Sequence, residues 1–501
     1  MSFGVSALIR LEKLGNRLPS PVLLFVFLIA IVLFVSALAD WLGASAVHPD
    51  NQQLMQVKSL LSVEGLHWWL GSAVKNFMGF APVGPVVVVM LGLGIAEHSG
   101  FLSAALRRML NLIPDTFLTF GVVLIGVLSS IAVDAGYVVV IPLAGVMFYL
   151  AGRSPVLGMA ACFAGVSGGF SANFFVGPVD AILAGISTEA AQLIDSKAEV
   201  TVLDNYYFII ASVFFISISA TLLTHKWVAP AVEAMGLADS KTVAGISDKA
   251  ELDAVELRAL RYSLLFLAGF SALIAAMLIP ENGLLRNPDT GSVIKSPFMS
   301  GLIFLISVAA GLTGVIYGRL SGLYQSYDQV VAGMEQGIKT LAGYLVLMFF
   351  AAQFVSMFSW SNLGPVAAIS GAAWLQSLEL PMVFNLVMFI LLAASINLLI
   401  GSASAKWAVL APVFIPMLML TGIAPEVTQA AYRVGDSSTN IITPLMPYFP
   451  LVIALMQRFN PGIGIGSVLA IMLPYSLVFL LGWSALLAAW VGLGWPLGPA
   501  L

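Results

Sequence analysis

Asp134-Ala-Gly-Tyr137-Val-Val-Val-Ile-Pro142 and Ser404-Ala-Lys-Trp407-Ala-Val-Leu-Ala-Pro412 stand 270 residues apart, with an aromatic and a proline in register. Each lies in the middle of an apolar stretch, 117 to 150 and 382 to 420, that is too long for one crossing of a bilayer. A hydrocarbon slab of ~30 Å takes about 20 helical residues at ~1.5 Å rise. A longer stretch interrupted at its centre reads as a re-entrant hairpin that returns to its starting side. A second match follows. Shifted by 266 residues, Gly169-Phe-Ser171-Ala-Asn173-Phe-Phe-Val-Gly-Pro178 overlies Gly435-Asp436-Ser437-Ser-Thr439-Asn440-Ile-Ile-Thr-Pro444, each a polar break inside an otherwise apolar crossing. The order hairpin, broken helix, full helix therefore occurs twice.

The repeat is embedded in 501 residues that are 60% hydrophobic and 9% charged, against about 25% charged in an ordinary soluble domain. With a mean hydropathy of +1.00, the chain reads as an all-α polytopic membrane protein and not as a soluble enzyme. A net charge of -4 leaves no basic footprint for nucleic acid. The lone Cys162 excludes a disulfide framework or a thiolate zinc site. No Walker sequence marks an ATP-driven pump, and His48, His67, His98 and His225 lack metal-ligand spacing. Ser129-Ser130 has no paired base for a hydrolase. Gly92 and Gly94, inside an apolar span, read as close helix packing.

Beyond the hairpins, apolar spans at 21–38, 82–97, 155–186, 205–225, 262–280, 298–317, 340–360, 428–459 and 463–493 give nine crossings. The first follows Arg10, Lys13 and Arg17 and is too long for a cleavable signal, so it is read as a span with a cytoplasmic N-terminus. With both hairpins re-entrant, 14 of the 21 Lys and Arg fall in cytoplasmic segments and five outside, the bias that orients membrane proteins. The resulting division is 1–81, an N-terminal helix and outside loop; 82–225, repeat 1 with hairpin 117–150 and broken helix 155–186; 226–339, a cytoplasmic connector and scaffold helices; and 340–501, repeat 2 with hairpin 382–420 and broken helix 428–459. The first hairpin opens to the cytoplasm and the second to the outside, so the repeats are inverted. Their tips, Ala132 to Tyr137 and Ser402 to Trp407, are expected to meet near the midplane.

Inverted repeats with discontinuous helices place substrate and coupling ions near that midplane, where helix ends and unwound carbonyls offer partial charge. Outside loops and helix ends, five ionisable residues remain, Asp134, Asp180, Lys406, Arg433 and Asp436, and each lies in or beside a repeat motif. Charge inside a membrane costs ~2.5 to 3.5 kcal/mol per residue on insertion scales, so such residues usually mark a substrate or ion path. Arg433 and Asp436, at i to i+3 spacing, can instead form a structural ion pair that steadies the break. Asp180 has no basic neighbour in sequence, which leaves it freer to carry a proton. Trp407 either faces ligand or packs in the hairpin tip. Ser171, Asn173, Ser437, Thr439 and Asn440 supply hard oxygens suited to Na⁺, with Asn173, Ser437 and Thr439 as the candidate ion site.

The strings Gly84-Pro-Val-Val-Val-Val-Met-Leu-Gly-Leu-Gly-Ile-Ala-Glu97, Asp134 to Pro142, Gly169 to Asn173, Gly401-Ser-Ala-Ser-Ala-Lys-Trp407 and Arg433-Val-Gly-Asp-Ser-Ser-Thr-Asn-Ile-Ile-Thr-Pro444 together resemble the p-aminobenzoyl-glutamate transporter (AbgT) family over nearly the whole chain. The resemblance implies a homodimer in the lipid of a bacterial inner membrane, each protomer with nine transmembrane helices and two hairpins. It further implies a scaffold, a mobile core and elevator-like alternating access driven by an ion gradient, Na⁺ or H⁺, with no other cofactor. The implied substrates are p-aminobenzoyl-glutamate, a folate breakdown product, or exported sulfonamides that share its aminobenzene half. Asp180, Asn397, Trp407, Arg433 and Asp436 fall where such proteins line the central cavity. A ligand with an aromatic amide and two carboxylates wants an aromatic platform, cations and donors, which Trp407, Lys406, Arg433 and Asn397 provide. A sodium-coupled carboxylate transporter stays open as an alternative. A passive channel would call for a continuous polar stripe, whereas polarity here is concentrated at two breaks.

Overall fold

A computed structural model of the chain describes residues 21–47, 54–131, 136–237, 252–293, 296–446 and 448–499. A bilayer leaves the backbone no water to bond with, so a chain this apolar must satisfy its own N–H and C=O groups. Among the described residues it does so almost entirely as helix. The chain opens with α1 (Pro21–Trp41), the short antiparallel pair β1 (Ser45–Val47) and β2 (Leu54–Gln56), α2 (Val63–Met78) and α3 (Val83–His98). An amphipathic helix, α4 (Phe101–Asn111), turns by 106° into the first hairpin, whose arms are α5 (Leu118–Leu128) and α6 (Ile141–Leu150). The first broken helix is α7 (Pro155–Phe163) with α8 (Pro178–Ala191), followed by α9 (Tyr206–Leu223) and the short α10 (Ala229–Ala234). Next come α11 (Ala254–Leu278), α12 (Pro297–Leu320), α13 (Tyr327–Thr340), α14 (Ala342–Trp360) and α15 (Leu363–Ser377). The second hairpin is α16 (Met382–Asn397) with α17 (Ala403–Met419), and the second broken helix is α18 (Pro425–Asn440) with α19 (Phe449–Gln457). The last helix is α20 (Ile465–Gly492).

Seven helical spans among the described residues, with α2 and α3 together forming one, are long and apolar enough to cross a bilayer. The two broken helices complete nine crossings. The hairpin arms have 11, 10, 16 and 17 residues, so none reaches beyond ~25 Å and none spans the slab alone.

Two kinds of packing hold these elements. The helix α3 meets α12 and α13 at backbone distance. A Cβ added at Gly92 would fall on the Ser307 carbonyl oxygen, and one at Gly94 would stand 2.7 Å from that of Gly333. Ser307 completes the seam, its Oγ donating to the Val88 carbonyl at 2.6 Å and accepting from the Gly92 N–H at 3.2 Å. Gly92 and Gly94 are thus close-packing glycines, the small-residue contact that replaces hydrophobic adhesion inside a membrane.

The other half is organised around α18. This is the most polar of the long helices, yet every residue from Val427 to Asn440 is buried. Its neighbours are α16, α17, α8 and α20. Hydroxyls along it bond back to their own helix, Ser438 Oγ to the Val434 carbonyl at 2.6 Å and Thr439 Oγ1 to that of Gly435 at 3.0 Å. Satisfied in this way, the polar run stays helical through Asn440. The break expected at Gly435 therefore begins after Asn440, in the turn that contains Pro444, where a missing N–H ends the ladder. In the first repeat the chain leaves the helix earlier, through a π turn at Ala164–Gly168, and stays non-helical until Pro178. The two breaks are offset although their sequences align.

Asp134 and the rest of the first tip, 132–135, lie outside the described residues, as do Arg10, Lys13 and Arg17. Beyond that tip, Tyr137 stacks on Tyr448 with ring centroids 4.2 Å apart. A Cβ on Gly401, at the second tip, would stand 2.7 Å from the Leu445 carbonyl oxygen. Both hairpins are thus lodged against the second break. A cysteine at Ser404, probed in membranes with an impermeant maleimide, should stay unlabelled from both sides, with fully buried Cys162 giving no background. Ready labelling from either face would remove the hairpin from the interior.

Candidate functional site

The site forms where α18 meets the second hairpin tip and the start of α8. Arg433 and Asp436 both belong to α18, but they do not pair with each other. Arg433 Nη2 lies 2.7 Å from Asp180 Oδ1, and Lys406 Nζ lies 2.5 Å from Asp436 Oδ1. The ion pair expected within the helix is thus replaced by two pairs between helices. An enclosed helix aims each side chain at a different neighbour, so the partner is set by packing and not by i to i+3 spacing. Asp180, read as lacking a basic neighbour, has one in three dimensions.

Each carboxylate is also held by backbone or side-chain groups. Asp180, in the first turn of α8, accepts the Gly177 N–H on Oδ2 at 2.7 Å and so caps its own helix. Around Asp436, Lys406 donates also to Asn397 Oδ1. The Asn397 amide faces the Asp436 carbonyl at 2.6 Å, Thr439 Oγ1 at 2.8 Å and Asn440 Oδ1 at 2.9 Å. The Tyr432 hydroxyl donates to the Ala403 carbonyl at 2.5 Å and stands 3.3 Å from Asp436 Oδ1.

Trp407 is fully buried, stacked on Tyr432 at 4.4 Å between centroids. Its indole N–H is taken by Ser187 Oγ at 3.0 Å and the Leu183 carbonyl at 3.2 Å, and Ser187 in turn bonds Gln429 at 2.7 Å. The aromatic platform is therefore covered in this conformation.

Of the remaining candidates, Ser171 and Ser437 meet at the repeat axis. The Ser171 N–H donates to Ser437 Oγ at 3.1 Å. These are the residues that the 266-residue shift superposes, and equivalent positions of a two-fold repeat touch only where its axis passes. Asn173 donates to Ser130 Oγ of the first hairpin at 2.7 Å and accepts the Phe175 N–H at 3.1 Å. Ser437 thus faces the first repeat while Thr439 faces Asn397. The structure does not gather Asn173, Ser437 and Thr439 around one point.

The two ion pairs differ in access. The side chains of Lys406 and Asp436 are 0% and 2% exposed, those of Arg433 and Asp180 3% and 11%. A cavity of about 20 Å³ bounded by Ser130, Ser171, Asn173, Asp180 and Arg433 adjoins the second pair, room for one water-sized occupant. Arg433 Nε is buried with no partner among the described residues. A buried donor left unmet is costly and calls for a ligand or water. Sequence reading passed over Tyr432, Gln429 and Ser187. The first two were visible as further polar positions of the one polar helix, whereas Ser187 resembles any helix serine that bonds its own backbone.

A polar half of a discontinuous helix, enclosed by a second discontinuous helix, a re-entrant hairpin and apolar helices, is the architecture of a membrane transporter. The comparisons give the same class. The model of the AbgT putative transporter family matches residues 7–501, and the chain belongs to that family. It is 37% identical over 492 residues to the p-aminobenzoyl-glutamate transport protein of Escherichia coli (strain K12), covering 98% of this chain and 95% of that one. The solved structure of the Alcanivorax borkumensis YdaH transporter is 51% identical with a TM-score of 0.92, over 96% of this chain and 100% of that one. That of Neisseria gonorrhoeae MtrF, described as illuminating a class of antimetabolite efflux pumps, is 43% identical with a TM-score of 0.90, over 96% and 97%. The protein is a multi-pass membrane transporter and not an enzyme.

Removing one member of a fully enclosed pair strands the other charge, at ~3 to 5 kcal/mol. Asp436→Asn and Lys406→Met should each lower the melting temperature of the purified protein sharply, and the double variant should recover much of the loss. Asp180→Asn, at the cavity edge, should cost less. A double variant no better than either single one would show that the charges are not coupled.

Proposed function

We propose that the protein carries p-aminobenzoyl-glutamate, or a ligand of that chemistry, across the bacterial inner membrane by ion-driven alternating access. In this reading it works as a homodimer with a cytoplasmic N-terminus, the hairpin-bearing part moving against a static scaffold. The observation that carries the reading is Arg433, a buried guanidinium with one nitrogen on Asp180 and Nε unmet beside a cavity. A ligand carboxylate supplies what that cation lacks. Asp180 and the ligand then compete for one guanidinium. Protonation of Asp180 releases Arg433, so proton and anionic ligand favour each other's binding, reciprocally and by the same factor. Sodium would have to draw on Ser171, Asn173, Ser437, Thr439 and Asn440, and the side-chain hydrogen bonds of Asn173, Ser437 and Thr439 already engage their oxygens within the protein. This favours the proton as coupling ion. Parting of Trp407 from Tyr432 would open a slot for the aminobenzoyl ring.

A second reading, export of sulfonamides, is supported by the likeness to MtrF. Such drugs lack the glutamate carboxylates and would rely on the aromatic pair.

Purified protein in proteoliposomes, given an imposed pH gradient, should accumulate labelled p-aminobenzoyl-glutamate beyond equilibration. Asp180→Asn should abolish accumulation yet keep exchange of ligand across the membrane. Accumulation that follows a sodium gradient and ignores pH would reassign the coupling ion. Full gradient-driven accumulation by Asp180→Asn would reduce that residue to cavity lining, and absence of both uptake and exchange would exclude the substrate.

A further inference from the structure

The joint between α4 and α11 holds a groove that the transport site does not use. Leu257, Leu260, Leu264 and Leu265 of α11 wall a space of about 470 Å³ open to the molecular surface, with Arg108 of α4 and Arg261 of α11 at its rim. Both arginines are exposed. Their neighbours are engaged, Arg107 with Glu256 at 2.9 Å and Arg258 over the Tyr262 ring at 5.9 Å. Among the described residues no ion pair takes Arg108 or Arg261.

The position of this groove in the membrane follows from the sequence of α11. From Tyr262 to Leu278 it carries no charge, a run of ~25 Å that fills most of a ~30 Å slab. Arg261 therefore stands at the edge of the hydrocarbon, with Leu264 and Leu265 running inward from it and Leu257 and Leu260 on its headgroup side. The amphipathic α4 places Arg108 at the same level.

We propose that the groove binds an anionic phospholipid of the surrounding bilayer, its phosphate between Arg108 and Arg261, its glycerol region against Leu257 and Leu260 and one acyl chain running inward along Leu264 and Leu265. Apolar walls alone would suit any lipid. Two guanidiniums that no carboxylate pairs among the described residues, at headgroup depth, select net negative charge, because basic residues near the surface attract anionic lipid. The site also has a mechanical meaning. α4 is the link from α3 to the first hairpin, so the lipid would tie that link to α11.

The full-length protein, purified in mild detergent, is mixed with phosphatidylglycerol or phosphatidylcholine, and retained lipid is counted by native mass spectrometry. Phosphatidylglycerol should be retained and should raise the melting temperature. Phosphatidylcholine and millimolar inorganic phosphate should do neither, which separates a lipid from a free phosphate. Arg108→Gln with Arg261→Gln should weaken retention about tenfold or more, while Arg458→Gln, an exposed arginine elsewhere, should leave it unchanged. Should the double variant not fold, Leu264→Trp blocks the acyl groove and keeps both arginines, and it should lose retention likewise. Undiminished retention in either variant, or equal effects of the two lipids, overturns the proposal. So does near-complete disulfide linkage of Leu265→Cys between copies, which would put a second chain in the groove.

Discussion

Charges enclosed in a membrane protein have no water to share them with, and Asp180, Lys406, Arg433 and Asp436 at the centre of this molecule each have an opposite partner on another element. Besides Glu426 in its first turn, α18 carries one charge of each sign deeper in, Arg433 and Asp436. Arg433 draws the start of α8 to one side of it through Asp180, and Asp436 draws the second hairpin tip to another through Lys406. Leaving any of the four unpaired costs several kcal/mol. This requirement places the hairpin tip, turns the mouth of the first break toward α18, and demands that apolar helices close around a polar one.

Backbone approach at glycines is a second means of adhesion, and α18 uses it too, since a Cβ on Gly435 would stand 2.5 Å from the Ile390 carbonyl oxygen. Where α3 runs against α12 and α13, glycines let backbones touch, and the contact has no charge that could be released or exchanged. A seam made of backbone on backbone has one geometry, because no side chain can rearrange to fit a second. Ion pairs and hydrogen-bonded amides can trade partners.

Much of this was legible before any coordinates. The nine crossings, the two hairpins and the internal repeat follow from run length and register, and Gly92 and Gly94 announced their packing by standing in an apolar span. The ion pairing did not follow. Arg433 and Asp436 are one helical turn apart, the strongest local cue available, but burial on all sides gave each a better partner from a distant part of the chain. The second break was misplaced for a related reason. Its polar residues look like helix breakers until Asn397 and the helix's own carbonyls are seen to satisfy them. Local sequence reports which groups need partners, and only packing decides which partners they get.

Asp180 joins two functions in one carboxyl group. One oxygen holds a charged side chain from the second repeat, and the other fastens the first turn of α8 to Gly177. A change in its charge weakens both bonds together, so an electrostatic event there is also an event in backbone length, with α8 free to shed its first turn. The chain that leads away from that turn passes through Ser171, which touches its repeat partner Ser437. Fraying of a single helix end would in this way reach the contact between the two repeats.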